Sequence, residues 1–124
     1  MLHYLLVACG GALGAMARHW VYNSGPFQDP RSHLATAAVN LVGSLLIGVL
    51  YVVVAEKGQL GPEWRSLLTV GFLGAFTTYS TYSLDALRLL ESGRPGVALV
   101  YLLLTMLLCV AAAWAGLALA RNLV

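Results

Sequence analysis

Seven consecutive hydroxyl side chains, Thr77, Thr78, Tyr79, Ser80, Thr81, Tyr82 and Ser83, begin near the middle of an uncharged, otherwise largely apolar stretch. Gly71 and Gly74 precede them. Glycines followed by β-branched and hydroxylated residues make a poor helix interior, so the run predicts a break that frees backbone carbonyls. Two further rows set polar or small side chains one helical turn apart. They are Thr36, Asn40, Ser44 and Gly48, and then Tyr101, Thr105 and Cys109. Positions four apart share a helix face, so each row is a stripe that must face protein or water. The chemistry on offer is hydrogen bonding by neutral groups. No nucleophile–base pair is visible, and His3, His19 and His33 fall at segment ends or in a connector, where they read as interfacial residues rather than metal ligands. Cys9 and Cys109 stand in separate apolar segments without CxxC spacing and read as packing residues.

The elements that must position these groups follow from where charge is missing. The chain has 124 residues, 60% hydrophobic and 10% charged, with a mean hydropathy of +0.81. Soluble domains carry roughly 25% charged residues. Asp, Glu, Lys and Arg are absent from Met1 to Ala17, Leu34 to Ala55, Ser66 to Leu84 and Gly96 to Ala120. Those lengths suit a hydrocarbon core that takes roughly 20 helical residues to cross. Barrel strands are shorter and alternate. The expectation is one all-α membrane domain over residues 1–124, with transmembrane helices near 2–22, 34–55, 66–90 and 96–120. Leu6-Val7-Ala8-Cys9 resembles a lipoprotein cleavage box, but no basic residue precedes it and the apolar stretch continues, so the segment reads as a retained helix. A net charge of +2 without a basic run gives no argument for nucleic acid.

Gly10 and Gly14 form a GxxxG pair that permits close helix approach in lipid. The third segment reads as two half-helices around a hydroxyl-rich centre, an arrangement that commonly holds small ions at mid-membrane. Four short helices do not easily enclose a water-filled path, which points to an oligomer. Lys57, Arg65 and Arg121 fall on one side of the membrane and Arg18, Arg31, Arg88 and Arg94 on the other. So even a split leaves the positive-inside rule little to act on, and two copies can meet as an antiparallel pair.

The runs Gly11-Ala12-Leu13-Gly14-Ala15-Met16-Ala17-Arg18, Asn40-Leu41-Val42-Gly43-Ser44 and Gly71-Phe72-Leu73-Gly74-Ala75-Phe76 continuing through Ser83 resemble the small fluoride channels of the Fluc (CrcB) type. The resemblance spans nearly the whole chain. It implies a dual-topology antiparallel homodimer with two fluoride pores and a structural sodium ion at the centre. The sodium would be held by backbone carbonyls of Gly74 and Thr77, where helix packing is the alternative role for Gly74. Asn40 takes the position of the family's pore asparagine, with an interhelical polar clamp as the other role for a membrane Asn. Thr36 and Ser44 share its face. Thr105 and Cys109 fall on the polar track of the last helix, below Tyr101. Arg18 matches an arginine that draws anions into a vestibule, or else is a snorkelling anchor. Tyr79 and Tyr82 stand where the family has two phenylalanines with electropositive ring edges.

A small multidrug exporter would share the size and the dual topology, but it needs a carboxylate within the membrane. No uncharged segment here contains one. A non-conducting assembly subunit would not need the polar stripes. The resulting expectation is a passive fluoride channel of the cell inner membrane, not an enzyme, with sodium as its structural ion.

Overall fold

The computed structural model describes residues 1–29 and 32–124; Arg31, one of the cations counted above, lies outside them. Among the described residues all regular structure is helical. Helix α1 is Leu2–Tyr22. A short 3-10 turn, Gly25–Phe27, leads to α2, His33–Glu56, whose last turns from Tyr51 are π-helical. The third segment is two helices: α3, residues 62–76, and α4, Tyr79–Glu91. Helix α5 is Pro95–Leu123. Prolines at the starts of α3 and α5 suit helix entry, since the missing N–H there has no helical acceptor. Gly58 and Gly93 turn the chain with φ of +59° and +74°, a region open to glycine.

Helices α2 and α5 are long and apolar enough to cross a membrane. Helix α1 is diluted by three glycines, Arg18 and His19, and the third segment is divided by its break. Large apolar side chains such as Leu107, Val110 and Trp114 stand exposed along α5. Soluble monomers rarely expose contiguous apolar patches of more than a few hundred Å², so these faces belong in lipid or against another chain. This is a membrane protein.

Small residues set the helix spacing. A Cβ at Gly10 would run into the Leu67 carbonyl, and one at Gly14 into the Phe72 carbonyl. The GxxxG face of α1 therefore docks on α3 within the chain. Gly48 of α2 meets the Ala113 carbonyl, and Gly116 of α5 meets the Leu45 carbonyl, a reciprocal contact of the same kind. Residues Arg65–Leu73 wind as a π-helix rather than a plain α-helix. The wider turns fall where α3 lies closest to α1, with Gly71 so placed that an added Cβ would be 2.8 Å from the Val7 carbonyl oxygen.

One end of the bundle is marked by His3 Nδ1 at 2.9 Å from Ser66 Oγ, and by Arg121 on α5 paired with Glu56 of α2. The N-terminus, the α2–α3 connector and the end of α5 thus share that end.

Candidate functional site

The break is built from two residues. Thr77 (φ −83°, ψ 159°) and Thr78 (φ −152°, ψ 120°) are extended between α3 and α4. Thr78 caps α4, its hydroxyl accepting from the Thr81 N–H at 3.2 Å, the usual way to satisfy a first-turn donor. Asn40 of α2 reaches across to the same residue. Its Nδ2 donates to the Thr78 carbonyl at 2.9 Å, and its Oδ1 accepts from the Thr78 N–H at 2.8 Å. The backbone N–H can only donate, so it dictates which way the amide points. Asn40 is therefore a clamp on the break, and one of its two Nδ2 hydrogens remains beyond the bond to Thr78. Gly43, one turn on, lets α2 approach: a Cβ there would strike the Thr77 methyl.

Beside the break lies an open groove of about 450 Å³. Eight of the ten candidate site residues line it: Asn40, Ser44, Gly74, Thr77, Tyr79, Tyr82, Thr105 and Cys109. Apolar walls come from Ile47, Leu73, Met106 and Val110, and no charged side chain is among the lining residues. Tyr79 and Tyr82 do share a face, with ring centroids 5.6 Å apart. Tyr79 is 79% exposed, whereas the Tyr82 hydroxyl donates to the Leu102 carbonyl of α5 at 2.6 Å.

Arg18 and Thr36 stand apart from the groove. Arg18 is half-buried and its Nη1 donates to the Thr77 carbonyl at 3.2 Å, which puts its charge behind the break. Thr36 is 0% exposed. Its hydroxyl donates to Asp85 Oδ2 at 2.6 Å and lies 2.7 Å from the Tyr22 hydroxyl. The Tyr101 hydroxyl donates to the same Asp85 oxygen at 3.3 Å. Tyr22, Thr36, Asp85 and Tyr101 form one buried knot that ties α1, α2, α4 and α5.

The sequence profile of the CrcB-like proteins, a family described as camphor resistance (CrcB), matches residues 5–117. The chain belongs to the CrcB family. A protein of Stutzerimonas stutzeri named fluoride-specific ion channel FluC is 52% identical over 116 residues, covering 93% of this chain and 94% of that relative. Proteins of the same name from Hahella chejuensis and Saccharophagus degradans are 47% identical over 123 residues and 42% identical over 124. They cover 96% and 100% of this chain and 94% and 93% of their own lengths.

Two polar residues of this CrcB chain escape the sequence reading, Asp85 and Tyr22. The helix expected over 66–90 includes Asp85, but the charge-free core of that segment ends at Leu84, so no inward role falls to the carboxylate. In the structure Asp85 is 8% exposed within the bundle. A carboxylate thus stands inside the bundle, one residue beyond the charge-free core of its segment. Its inward position has a local sign, because Tyr82, Asp85, Ala86 and Leu89 follow the i, i+3, i+4, i+7 spacing of one helix face. Tyr22, at the end of α1, gives no comparable signal.

Proposed function

We propose that this CrcB protein is a fluoride channel that conducts passively across the cell inner membrane, with all four segments spanning it. The groove carries the reading: its lining is uncharged and mostly apolar, with a few neutral hydrogen-bond donors set into it. The free Asn40 amide hydrogen and the hydroxyls of Ser44 and Thr105 are of the type that replaces the water of a small anion. Cys109 adds a weak donor. Tyr79 and Tyr82 line the same space, and an aromatic ring edge carries partial positive charge that suits an anion. Three relatives at 42–52% identity carry the name fluoride-specific ion channel, and that supports the same ion here.

A single chain leaves the groove open and Tyr79 uncovered. An antiparallel homodimer with its two-fold axis in the membrane plane would close it. The near-even split of cations between the two sides supports that arrangement. In the dimer, carbonyls of Gly74 and Thr77 from both copies would hold the structural sodium ion. The residues fit such an ion. The Thr78 N–H, which an unbroken helix would give to the Gly74 carbonyl, goes to Asn40. The Thr77 carbonyl accepts once, from Arg18, and keeps a second lone pair. Sodium there would neutralise facing carbonyl dipoles and join the two breaks. Arg18, behind them, would draw anions toward the groove, and Thr36 serves the wall through Asp85 rather than contacting fluoride itself.

Purified protein in liposomes loaded with potassium fluoride tests the function. Fluoride release, read with an ion-selective electrode, is expected on adding valinomycin and without a pH gradient. Release that demands a proton gradient would instead place Asp85 in an exporter. No release in either condition would favour an assembly subunit.

A further inference from the structure

We propose that the Tyr82 hydroxyl is a positioning group: by donating to the Leu102 carbonyl it pins the Tyr82 ring to α5, and the pinned ring sets how well the groove discriminates between halides. This rests on the channel reading above and adds to it a role for an atom that a phenylalanine lacks.

The geometry separates the two groove tyrosines. The Tyr82 hydroxyl lies 2.6 Å from the Leu102 carbonyl oxygen, with its ring half-buried. Its ring centroid is 5.3 Å from that of Tyr101 and 5.6 Å from that of Tyr79. Tyr79, by contrast, projects from the chain with 79% of its surface exposed. One turn after Tyr82, Asp85 accepts from the Tyr101 hydroxyl. Helix α4 therefore grips α5 at two consecutive residues, through the side chain of Tyr101 and the backbone of Leu102. A carbonyl oxygen inside a helix has two lone pairs, so Leu102 can serve Tyr82 without giving up its helical bond.

The consequence is directional. Packing alone leaves an aromatic ring free to slide and tilt, whereas a directed bond at its para position fixes the far end. With the oxygen turned to α5, the phenol hydrogen is committed and the ring edge is what remains for the groove. Ala86 and Leu89 of α4 already pack on Ala98 and Tyr101 of α5; the bond adds a fixed position for the Tyr82 ring to that apolar contact. A typical intramolecular hydrogen bond shifts such an orientational equilibrium by about fivefold.

Three substitutions at one position test this in proteoliposomes, each read as fluoride release rate and as the fluoride-to-chloride rate ratio. Tyr82→Phe is expected to lower the ratio by about fivefold, because the freed ring no longer holds its position. Tyr82→para-aminophenylalanine, which keeps an N–H donor at the same place, should return the ratio to within about twofold of the original. A ring needed only for bulk would show no such rescue. Tyr82→Ile removes ring and donor and is expected to cut fluoride release itself. If the Phe and amino variants both match the unmodified protein while Ile cuts release, the pinning role is overturned and the channel reading stands. If Ile also leaves release and ratio unchanged, Tyr82 does not touch the path and both fall at this residue.

Discussion

Truncating Asp85 to alanine removes the acceptor at the centre of the buried knot. Its Oδ2 takes a hydrogen bond from Thr36 at 2.6 Å and another from Tyr101 at 3.3 Å. In water-soluble proteins each buried donor left without an acceptor costs about 1–3 kcal/mol. Within a membrane the unfolded reference also finds partners, and polar contacts between helices average only about 0.6 kcal/mol, with a maximum near 1.7. The short bond from fully buried Thr36 belongs near the upper figure and the longer Tyr101 bond near the mean. Together they come to about 2 kcal/mol, or roughly a factor of 30 in the unfolding equilibrium. Asp85→Asn keeps a carbonyl oxygen for both donors and loses only the charge assistance, so its cost should be about half as large. Denaturant titration of purified protein in mild detergent is the assay, followed by tryptophan fluorescence. The expected order is unmodified protein, then Asp85→Asn, then Asp85→Ala. An Asp85→Ala protein as stable as the original would refute the reasoning, and so would an Asn variant no better than Ala.

Three other perturbations separate packing, clamp and topology. Gly14→Ala places a methyl on the Phe72 carbonyl and should destabilise by about 1–3 kcal/mol, while Gly96→Ala, which meets open space, should leave the same denaturation curve unchanged. Asn40→Ala loses both bonds to Thr78 and should lower stability as well as slow fluoride release by about tenfold or more. Asn40→Asp retains the acceptor for the Thr78 N–H but sets a charge in the groove, so it should hold the fold better than Ala and conduct less. A C-terminal tag should be reachable from both faces of the membrane in comparable amounts, and two or three added lysines in residues 57–61 should make labelling one-sided and reduce active protein. One-sided labelling of the unmodified chain would contradict the antiparallel pair.

The parts legible in the sequence are those that are encoded locally. Membrane helices announce themselves by absence of charge, because each ionised side chain in lipid is costly wherever it sits; α2 and α5 follow from that alone. The break is local too, since Thr77 and Thr78 sit where glycines and a hydroxyl run weaken the helix. What stays hidden depends on partners distant in the chain. Asn40 looks the same in the sequence whether or not it clamps, and its two bonds go to a backbone 38 residues away. The GxxxG face of α1 is readable, but its docking on α3 is not, because a small-residue stripe names no partner. Asp85 is missed for a different reason. It lies just beyond the charge-free core of its segment, and a count of charge says nothing of the donors that meet its cost from two other helices.

That carboxylate bears directly on whether the groove can pass an anion. An unscreened negative charge near the path of an anion would repel it, and the repulsion grows where the effective dielectric is low. Three features oppose that repulsion. The hydroxyls of Thr36 and Tyr101 point their hydrogens at Asp85, so their dipoles offset its field. Asp85 is not among the residues lining the groove. Arg18, bonded to the Thr77 carbonyl at the groove's edge, sets a positive charge close behind the donors. The hydroxyls of Tyr22, Thr36 and Tyr101 engage the acid's knot, while those of Ser44 and Thr105 line the groove. In the proposed channel this division of neutral donors keeps the acid's tie between helices from becoming a barrier to the ion.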